Sequence, residues 1–279
     1  MRTELESKYH KLKEILAQTG GLVIAYSGGV DSTLLLKAAR EALGDRALAV
    51  TATSETYPPQ EVEEAVRLAK ELGARHRLIH TSELEMEEFA ANPPDRCFYC
   101  KRELFGKLLA IAAAEGLPVV ADGSNVDDEA DFRPGRRAAA ELGVRSPLRE
   151  AGFTKAEIRE LSRELGLPTW NKPAFACLAS RFPYGDRITL KKLSRVASAE
   201  QVLRGLGIRQ VRVRDYGQTA RIEVDISDLE AVIRAENRTR IVEEFHRIGY
   251  LYATVDLDGY RAGSMNVALA AQEKRPPDS

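Results

Sequence analysis

The stretch Gly21-Leu22-Val23-Ile24-Ala25-Tyr26-Ser27-Gly28-Gly29-Val30-Asp31-Ser32-Thr33-Leu34-Leu35-Leu36 decides the fold. Its first six residues are a short unbroken apolar run, the pattern of a strand buried on both faces of a parallel sheet. From Asp31 onward apolar residues recur at helical spacing. Two glycines at the join let the backbone turn tightly, and the helix that follows presents unpaired N–H groups and its positive dipole end to an anion. A Walker loop would require Gly-Lys-Ser/Thr; here Gly29 is followed by Val30-Asp31-Ser32, so no lysine closes the turn. Ser27, Ser32 and Thr33 add hydroxyl donors for a pyrophosphate, and Asp31, an acid beside phosphates, is expected to reach them through Mg²⁺. The bland alternative is a glycine turn capped by Asp31 or Ser32. The strand-loop-helix context favours the phosphate site.

The unit repeats outward along the chain. Strands are expected at 47–53, 75–80 and 118–121, alternating with helices at 59–72, 101–114 and 155–165, the last closed by Gly166 and followed by Pro168. This alternation predicts an α/β fold with a doubly wound parallel sheet. Thr53-Ser54-Glu55 and Asp122-Gly123-Ser124-Asn125 follow strands and fall on the ligand-binding edge, as does Ala25 within the first strand at 21–26. Phe182-Pro183-Tyr184-Gly185-Asp186 is turn-rich and marks an expected boundary, giving a first domain over 1–185. Residues 186–270 read as a smaller α+β domain: helices at 193–206 and 229–248, a hairpin of 210–214 with 220–224, a last strand at 252–257, and an antiparallel sheet. An amphipathic helix opens the chain, Glu83 to Glu88 read as a solvated face, and the tail 271–279 is expected to be disordered.

With 41 Lys+Arg against 42 Asp+Glu, the net charge of -1 provides no global field for nucleic acid or an anionic membrane. No stretch approaches the roughly 20 apolar residues of a membrane span. A cytoplasmic protein is expected, without membrane or nucleic-acid partners. Its three cysteines do not make a disulfide framework. Cys97 and Cys100 form Cys-Phe-Tyr-Cys, a spacing that points two sulfurs at one metal, and Cys177 lies alone. Three thiolates close neither a zinc site nor an iron-sulfur cube, so such a site keeps an open position. A thioredoxin-type pair would need a strand immediately upstream, whereas Asn92-Pro93-Pro94-Asp95-Arg96 precedes Cys97. Inert buried cysteines are the remaining alternative.

Ser27-Gly28-Gly29-Val30-Asp31-Ser32-Thr33 resembles the loop of the PP-loop ATP pyrophosphatases, which have an adenine nucleotide alpha hydrolase-like fold and transfer AMP to a substrate oxygen with loss of pyrophosphate. Trp170 to Gly185, together with Asp131-Phe132-Arg133-Pro134-Gly135, Val211-Arg212-Val213-Arg214 and Arg221-Ile222-Glu223, is similar to the LarE family of sulfur transferases, which help to build the nickel-pincer nucleotide of lactate racemase. The resemblance implies ATP-dependent adenylation of the carboxylates of pyridinium-3,5-biscarboxylic acid mononucleotide and their conversion, in two rounds, to thiocarboxylates. It implies ATP contacts from Ala25, Ser27, Gly28, Gly29, Asp31, Ser32, Thr33, Ser54 and Gly123. In one form of the family a single cysteine, here Cys177, gives up its own sulfur. In the other, three cysteines hold a [4Fe-4S] cluster whose fourth iron carries an extra sulfide. Cys97 and Cys100 depart from the single-cysteine pattern, which implies the cluster form with Cys97, Cys100 and Cys177 as catalytic ligands and sulfide or another sulfur donor as partner. A homo-oligomer is expected.

Arg212 and Arg214 alternate on an expected strand and so leave one face, where both can clamp a phosphate; Ser180 and Arg181 offer the same for a carboxylate. Glu200 and Glu223 match carboxylates that the family places near the mononucleotide, with a role in holding a divalent ion. Arg133 and Arg261, among turn residues, are minor candidates. Two other functions compete. A tRNA thiolation enzyme would share the loop and cysteines, but the neutral charge and the lack of a basic, aromatic-interleaved platform weigh against it. A non-enzymatic iron-sulfur or nucleotide-sensing module would bind ATP without turnover.

Overall fold

The computed structural model describes residues 2–129, 134–173, 176–261 and 263–266. The tail 271–279 and the candidate Arg133 lie outside the described residues. The chain forms two compact units, Met1–Phe89 with Pro93–Phe175, and Ala90–Asn92 with Ala176–Ser279.

In the first unit the elements run α1 (Arg2–Ala17), β1 (Leu22–Ala25), α2 (Val30–Leu43), β2 (Ala47–Thr53), α3 (Pro59–Glu71), β3 (Arg75–His80), α4 (Glu87–Ala90), α5 (Arg96–Ala114), β4 (Val119–Ala121), α6 (Gly135–Glu141), α7 (Pro147–Glu150) and α8 (Lys155–Glu164). The strands lie in the order β3-β2-β1-β4 and all pairs are parallel. The apolar run of β1 is unbroken because both faces of the sheet are covered. Leu22 and Ile24 pack with Leu12, Leu16, Leu34 and Ile158, whereas Val23 packs with Val50, Leu104, Leu108 and Val120. The chain leaves β1 toward β2 on one side and returns to β4 on the other, so the β1–β4 junction is the switch point where open sheets of this kind bind ligands. α5 begins at Arg96, ahead of the expected 101, and this places Cys97 and Cys100 near its start. Pro93 and Pro94 stand just upstream, where helices commonly start. Glu83 corrects the expectation of a solvated acidic face: it is only 1% exposed.

In the second unit α9 (Leu190–Arg204), β5 (Val211–Tyr216), β6 (Thr219–Val224), α10 (Leu229–Ile233), α11 (Ala235–Ile248) and β7 (Tyr252–Val255) follow in order. β5 and β6 form the expected antiparallel hairpin, but β7 pairs parallel to β6, so the sheet is mixed rather than antiparallel. The reason lies in the connection: α10 and α11 carry the chain back across the sheet, and a strand entered by such a crossover runs the same way as the one left behind. The single helix expected at 229–248 divides where Arg234 adopts φ -53, ψ 134, an extended conformation that ends the helical ladder. No Gly or Pro signals that break. Val211, Val213, Ile222 and Val224 pack against Leu203, Ile241 and Phe245 to form the core.

Residues 90–92 are tied into this unit by hydrogen bonds. Asn92, at φ 57, donates from Nδ2 to the carbonyls of Pro183 (2.7 Å) and Asp186 (3.1 Å), and its own carbonyl accepts from Gly185 N at 2.9 Å. Asn is among the few side chains that tolerate a left-handed backbone.

α8 starts with a reciprocal cap: Glu157 N donates to Thr154 Oγ1 at 3.3 Å and Thr154 N donates to Glu157 Oε2 at 2.8 Å. Thr154→Ala is expected to cost about 1 kcal/mol. Thermal unfolding should then show a midpoint lowered by about 2–4 °C.

Candidate active site

The glycine loop follows β1 directly. Gly28 has φ +66, and a β-carbon there would stand 2.9 Å from that of Ala65 on α3. Gly29 precedes α2 without any side-chain cap, so the first-turn N–H groups and the dipole end of α2 remain for an anion. The loop is braced by its own hydroxyls: Ser27 N donates to Ser32 Oγ at 3.3 Å, Gly29 N to Ser27 Oγ at 3.4 Å, and Ser32 Oγ to Gly29 O at 3.3 Å. Thr33 is buried beside Tyr26. Gly123, after β4, comes so close that a β-carbon would lie 3.0 Å from Ser32 N. The two loops of the switch point therefore touch, as the sequence pattern implied. Ser54 is engaged in its own turn, its Oγ within 2.8 Å of Thr56 Oγ1.

Beside the loop lies a cleft, open to solvent, lined by Ala25, Ser27, Val50, Ala52, Lys101 and Leu104 among others. A largely apolar lining with a few polar groups suits a small organic ligand such as a nucleotide. At its base Tyr26 is buried, and this desolvation pushes its phenol up to about 12. His76 Nε2 lies 2.9 Å from Thr51 Oγ1, and burial holds the imidazole below its usual range, so the base of the cleft is uncharged at neutral pH.

Two lysines absent from the sequence-based site organise this region. Lys155, the first residue of α8, forms an ion pair with Asp31, whose other carboxylate oxygen accepts from Asn125 Nδ2 at 3.2 Å. The loop acid is thus neutralised by an ammonium group. Lys172 reaches Glu61 (2.9 Å), Glu64 (2.6 Å) and the carbonyl of Gly28 (3.4 Å), tying the start of α3 to the glycine loop. Thr154-Lys155-Ala156-Glu157 carried a signal for the first of these, since a capping box after a predicted switch-point strand places the next residue at a helix start. Nothing local marked Lys172.

Cys97 is exposed and Cys100 half-buried. Three residues apart near the start of α5, they share a helix face. Cys100 Sγ approaches the buried Glu83 Oε1 at 3.7 Å, which also accepts from Thr81 Oγ1 at 2.9 Å, while Glu83 Oε2 has no partner among the described residues. Cys177, half-buried, precedes a short 3₁₀ turn (Leu178–Arg181) whose Arg181 Nη1 donates to the carbonyls of Ala176 (2.8 Å) and Cys177 (3.1 Å). Among the described residues no three His, Cys, Asp or Glu side chains gather closely enough to hold a metal ion.

In the second unit the predicted arginines and glutamates form two buried chains of charge. Arg181 pairs with Glu200 through both ends, Nε to Oε1 at 2.7 Å and Nη2 to Oε2 at 3.0 Å, and both are fully buried. Glu200 also accepts from Arg204 (2.8 Å) and Val213 N (3.2 Å). Burial acts to raise the Glu200 pKa, but the charge and hydrogen bonds of Arg181, then Arg204 and Arg212, outweigh it and hold the carboxyl below its ordinary value. Arg214 grips Glu223 at 2.7 Å and donates to Ser180 O at 2.8 Å, and Arg221 holds the other oxygen of Glu223 at 2.8 Å. Arg212, beside Arg214 on β5 and 5.3 Å from the ring centroid of Tyr260, has its guanidinium pKa pushed down to about 10, first by burial and then by the charge of Arg181. A buried cation depressed in this way is stabilised by any anion that reaches it. Arg261 pairs instead with Asp258 at 2.8 Å, with both side chains largely exposed.

A doubly wound sheet with this loop at its switch point places the protein among the PP-loop enzymes that bind ATP with Mg²⁺, and the NAD synthase family model matches residues 4–92. The chain is 40% identical over 266 residues to the pyridinium-3,5-bisthiocarboxylic acid mononucleotide synthase of Lactiplantibacillus plantarum, with 95% of this chain and 96% of that protein covered. It is 46% identical to an uncharacterised protein of Synechocystis (95% and 99% covered), and 30% identical to another of Methanocaldococcus jannaschii (86% and 91% covered). The chain belongs to the pyridinium-3,5-bisthiocarboxylic acid mononucleotide synthase (LarE) family of PP-loop ATP pyrophosphatases.

Gly28→Ala should destabilise the loop by about 1–2 kcal/mol from left-handed strain alone, and it should weaken Mg·ATP binding in calorimetric titration because Ala65 leaves no room for the methyl group. Glu200 contributes stability that is fully present above its ordinary carboxyl value of 4.5 and is lost as pH falls through its lower folded value. Unfolding free energy followed downward from pH 6 should therefore fall more steeply in the wild type than in Glu200→Gln. At pH 7 that variant should be less stable by about 3–5 kcal/mol, because it leaves the buried Arg181 charge uncompensated.

Proposed function

We propose that this protein is an ATP-dependent sulfur transferase that converts the carboxylates of pyridinium-3,5-biscarboxylic acid mononucleotide to thiocarboxylates, with Cys97, Cys100 and Cys177 carrying the sulfur chemistry. The observation that carries the reading is the placement of α5: its start bears Cys97 and Cys100, and it supplies Lys101 and Leu104 to the cleft that Ala25 and Ser27 also line. Activation and sulfur delivery are thereby served by one helix.

In the first half-reaction a carboxylate oxygen attacks the α-phosphorus of ATP, the bond to the bridging oxygen breaks, and pyrophosphate leaves with the electron pair. The N–H groups of Gly29 to Ser32 and the hydroxyls of Ser27 and Ser32 hold the phosphates, and Asp31, which Lys155 pairs, is the residue that would hold Mg²⁺. In the second half-reaction a sulfur nucleophile attacks the acyl carbon and AMP departs, leaving the thiocarboxylate. Ser180, Arg181, Arg212 and Arg214 bind the phosphate and carboxylate groups of the mononucleotide, Arg181 and Arg214 being held for this by their glutamates. Glu200 and Glu223 hold those arginines in place and remain candidates for a divalent ion.

The donor set suits a [4Fe-4S] cluster, since thiolates are its usual ligands and Cys97 and Cys100 lie together at a helix start. Cys97, Cys100 and Cys177 would hold such a cluster, which would supply a sulfide nucleophile near neutral pH. Thiol chemistry of this kind suits a reducing compartment, the cytoplasm. In the second reading Cys177 yields its own sulfur, a route that its half-buried position leaves open.

Anaerobically reconstituted protein should release pyrophosphate only when the dicarboxylate mononucleotide is added, and should show cluster absorption that Cys97→Ala abolishes. Mass spectrometry after turnover should find Cys177 intact. Pyrophosphate release that ignores the mononucleotide would refute the substrate assignment, and loss of the Cys177 sulfur would replace the cluster route with the sacrificial one.

A further inference from the structure

We propose that Lys101 is a phosphate-binding residue of the cleft, donating from its ammonium group to the phosphate chain of the nucleotide held by the glycine loop. The inference rests on the functional reading above, in that it takes the occupant of the cleft to be ATP.

Lys101 and Glu61 are the charged residues among those lining the cleft, and the Glu61 carboxylate is already engaged by Lys172 at 2.9 Å. Lys101 makes no ion pair or hydrogen bond among the described residues; its Nζ rests 5.4 Å from the ring centroid of Phe105, one turn further along α5. Lys155 and Lys172, the other lysines near the loop, both have carboxylate partners. A partly buried lysine with no counter-charge among the described residues gives the cleft a local positive potential that the near-neutral chain lacks overall. A nucleotide triphosphate brings the matching anion, and Ser27 of the phosphate loop lines the same cleft.

The stem of Lys101 is also held in place. Gly135 opens α6 directly against α5, and a β-carbon on it would lie 2.9 Å from Lys101 Cγ and 3.4 Å from the carbonyl of Cys97. Glycine at this position leaves room for the lysine stem between α6 and the Phe105 ring. A side chain packed in this way has less rotamer freedom left to lose when it meets its ligand. Lys101 stands four residues after Cys97 on α5, so the two side chains share one helix face. The same lysine that orients the nucleotide would then bring the activated substrate to the sulfur.

The test is calorimetric titration of the full-length protein with Mg·ATP and, separately, with adenosine, at low and at high salt. Lys101→Gln should weaken Mg·ATP by about 10-fold or more, as expected for loss of a charge-assisted hydrogen bond, flatten its salt dependence, and leave adenosine binding unchanged. Lys101→Arg should retain most of the ATP affinity. Gly135→Ala should weaken ATP alone by shifting the lysine stem. Unchanged ATP affinity in Lys101→Gln, or equal losses for ATP and adenosine, would overturn the assignment. So would weakened binding of the dicarboxylate mononucleotide with ATP unaffected, which would make Lys101 a carboxylate contact. A wild-type protein that binds neither ATP nor adenosine would overturn the nucleotide reading of the cleft itself.

Discussion

Two missing β-carbons determine how the first unit is assembled. At Gly28 the backbone turns with positive φ against Ala65 of α3, and at Gly123 the loop after β4 lies against the start of α2. Neither approach survives a methyl group without movement. Together they bring the ends of β1 and β4 into contact over the first turn of α2, where uncapped N–H groups are concentrated. The remaining features of this edge build on that contact. Lys155 is positioned to neutralise Asp31, and Lys172 to hold the Gly28 carbonyl and the acids of α3 at once. The charges of this edge are therefore balanced by its own ion pairs.

The second unit relies on a different constraint. Arg181, Glu200, Arg214 and Glu223 are buried at or near full depth, and charges taken so far from water persist only when their geometry is well satisfied. Here it is: Glu200 accepts from Arg181, Arg204 and a backbone N–H, while Glu223 is gripped from both sides. Valines 211 and 213 face the hydrophobic core and Arg212 and Arg214 the other side of the same strand, so period-two alternation separates packing from chemistry within four residues.

Much of this was legible in the sequence. The apolar run before Ser27 could be read as a doubly buried strand because no polar residue interrupts it, and the glycine pair marked the turn between β1 and α2. The CxxC spacing and the alternation of Arg212 with Arg214 were equally plain. What escaped notice depended on tertiary proximity. Lys172 lies more than a hundred residues from the glutamates it binds, and no local pattern pairs them. Glu83 sits in a run of acids that reads as solvated, yet it is buried beside Thr81 and Cys100. The break at Arg234 arises from a backbone torsion in a residue type with no aversion to helices. The parallel pairing of β7 follows from a crossover whose route only the folded chain reveals.

The Asn92 contacts bear on how this protein can be divided, by a protease or by evolution. The polypeptide passes between its two units three times, after Phe89, after Asn92 and after Phe175, and the middle visit is only three residues long. Those residues nonetheless satisfy the carbonyls of Pro183 and Asp186 and the amides of Gly185 and Ile188. A fragment beginning at residue 176 would leave these polar groups without their partners, so the second unit is not a cassette that can be shuffled onto another chain. Gene fusion or circular permutation would have to carry the 90–92 strap along with it, and this ties the inheritance of the arginine-bearing unit to that of the ATP loop.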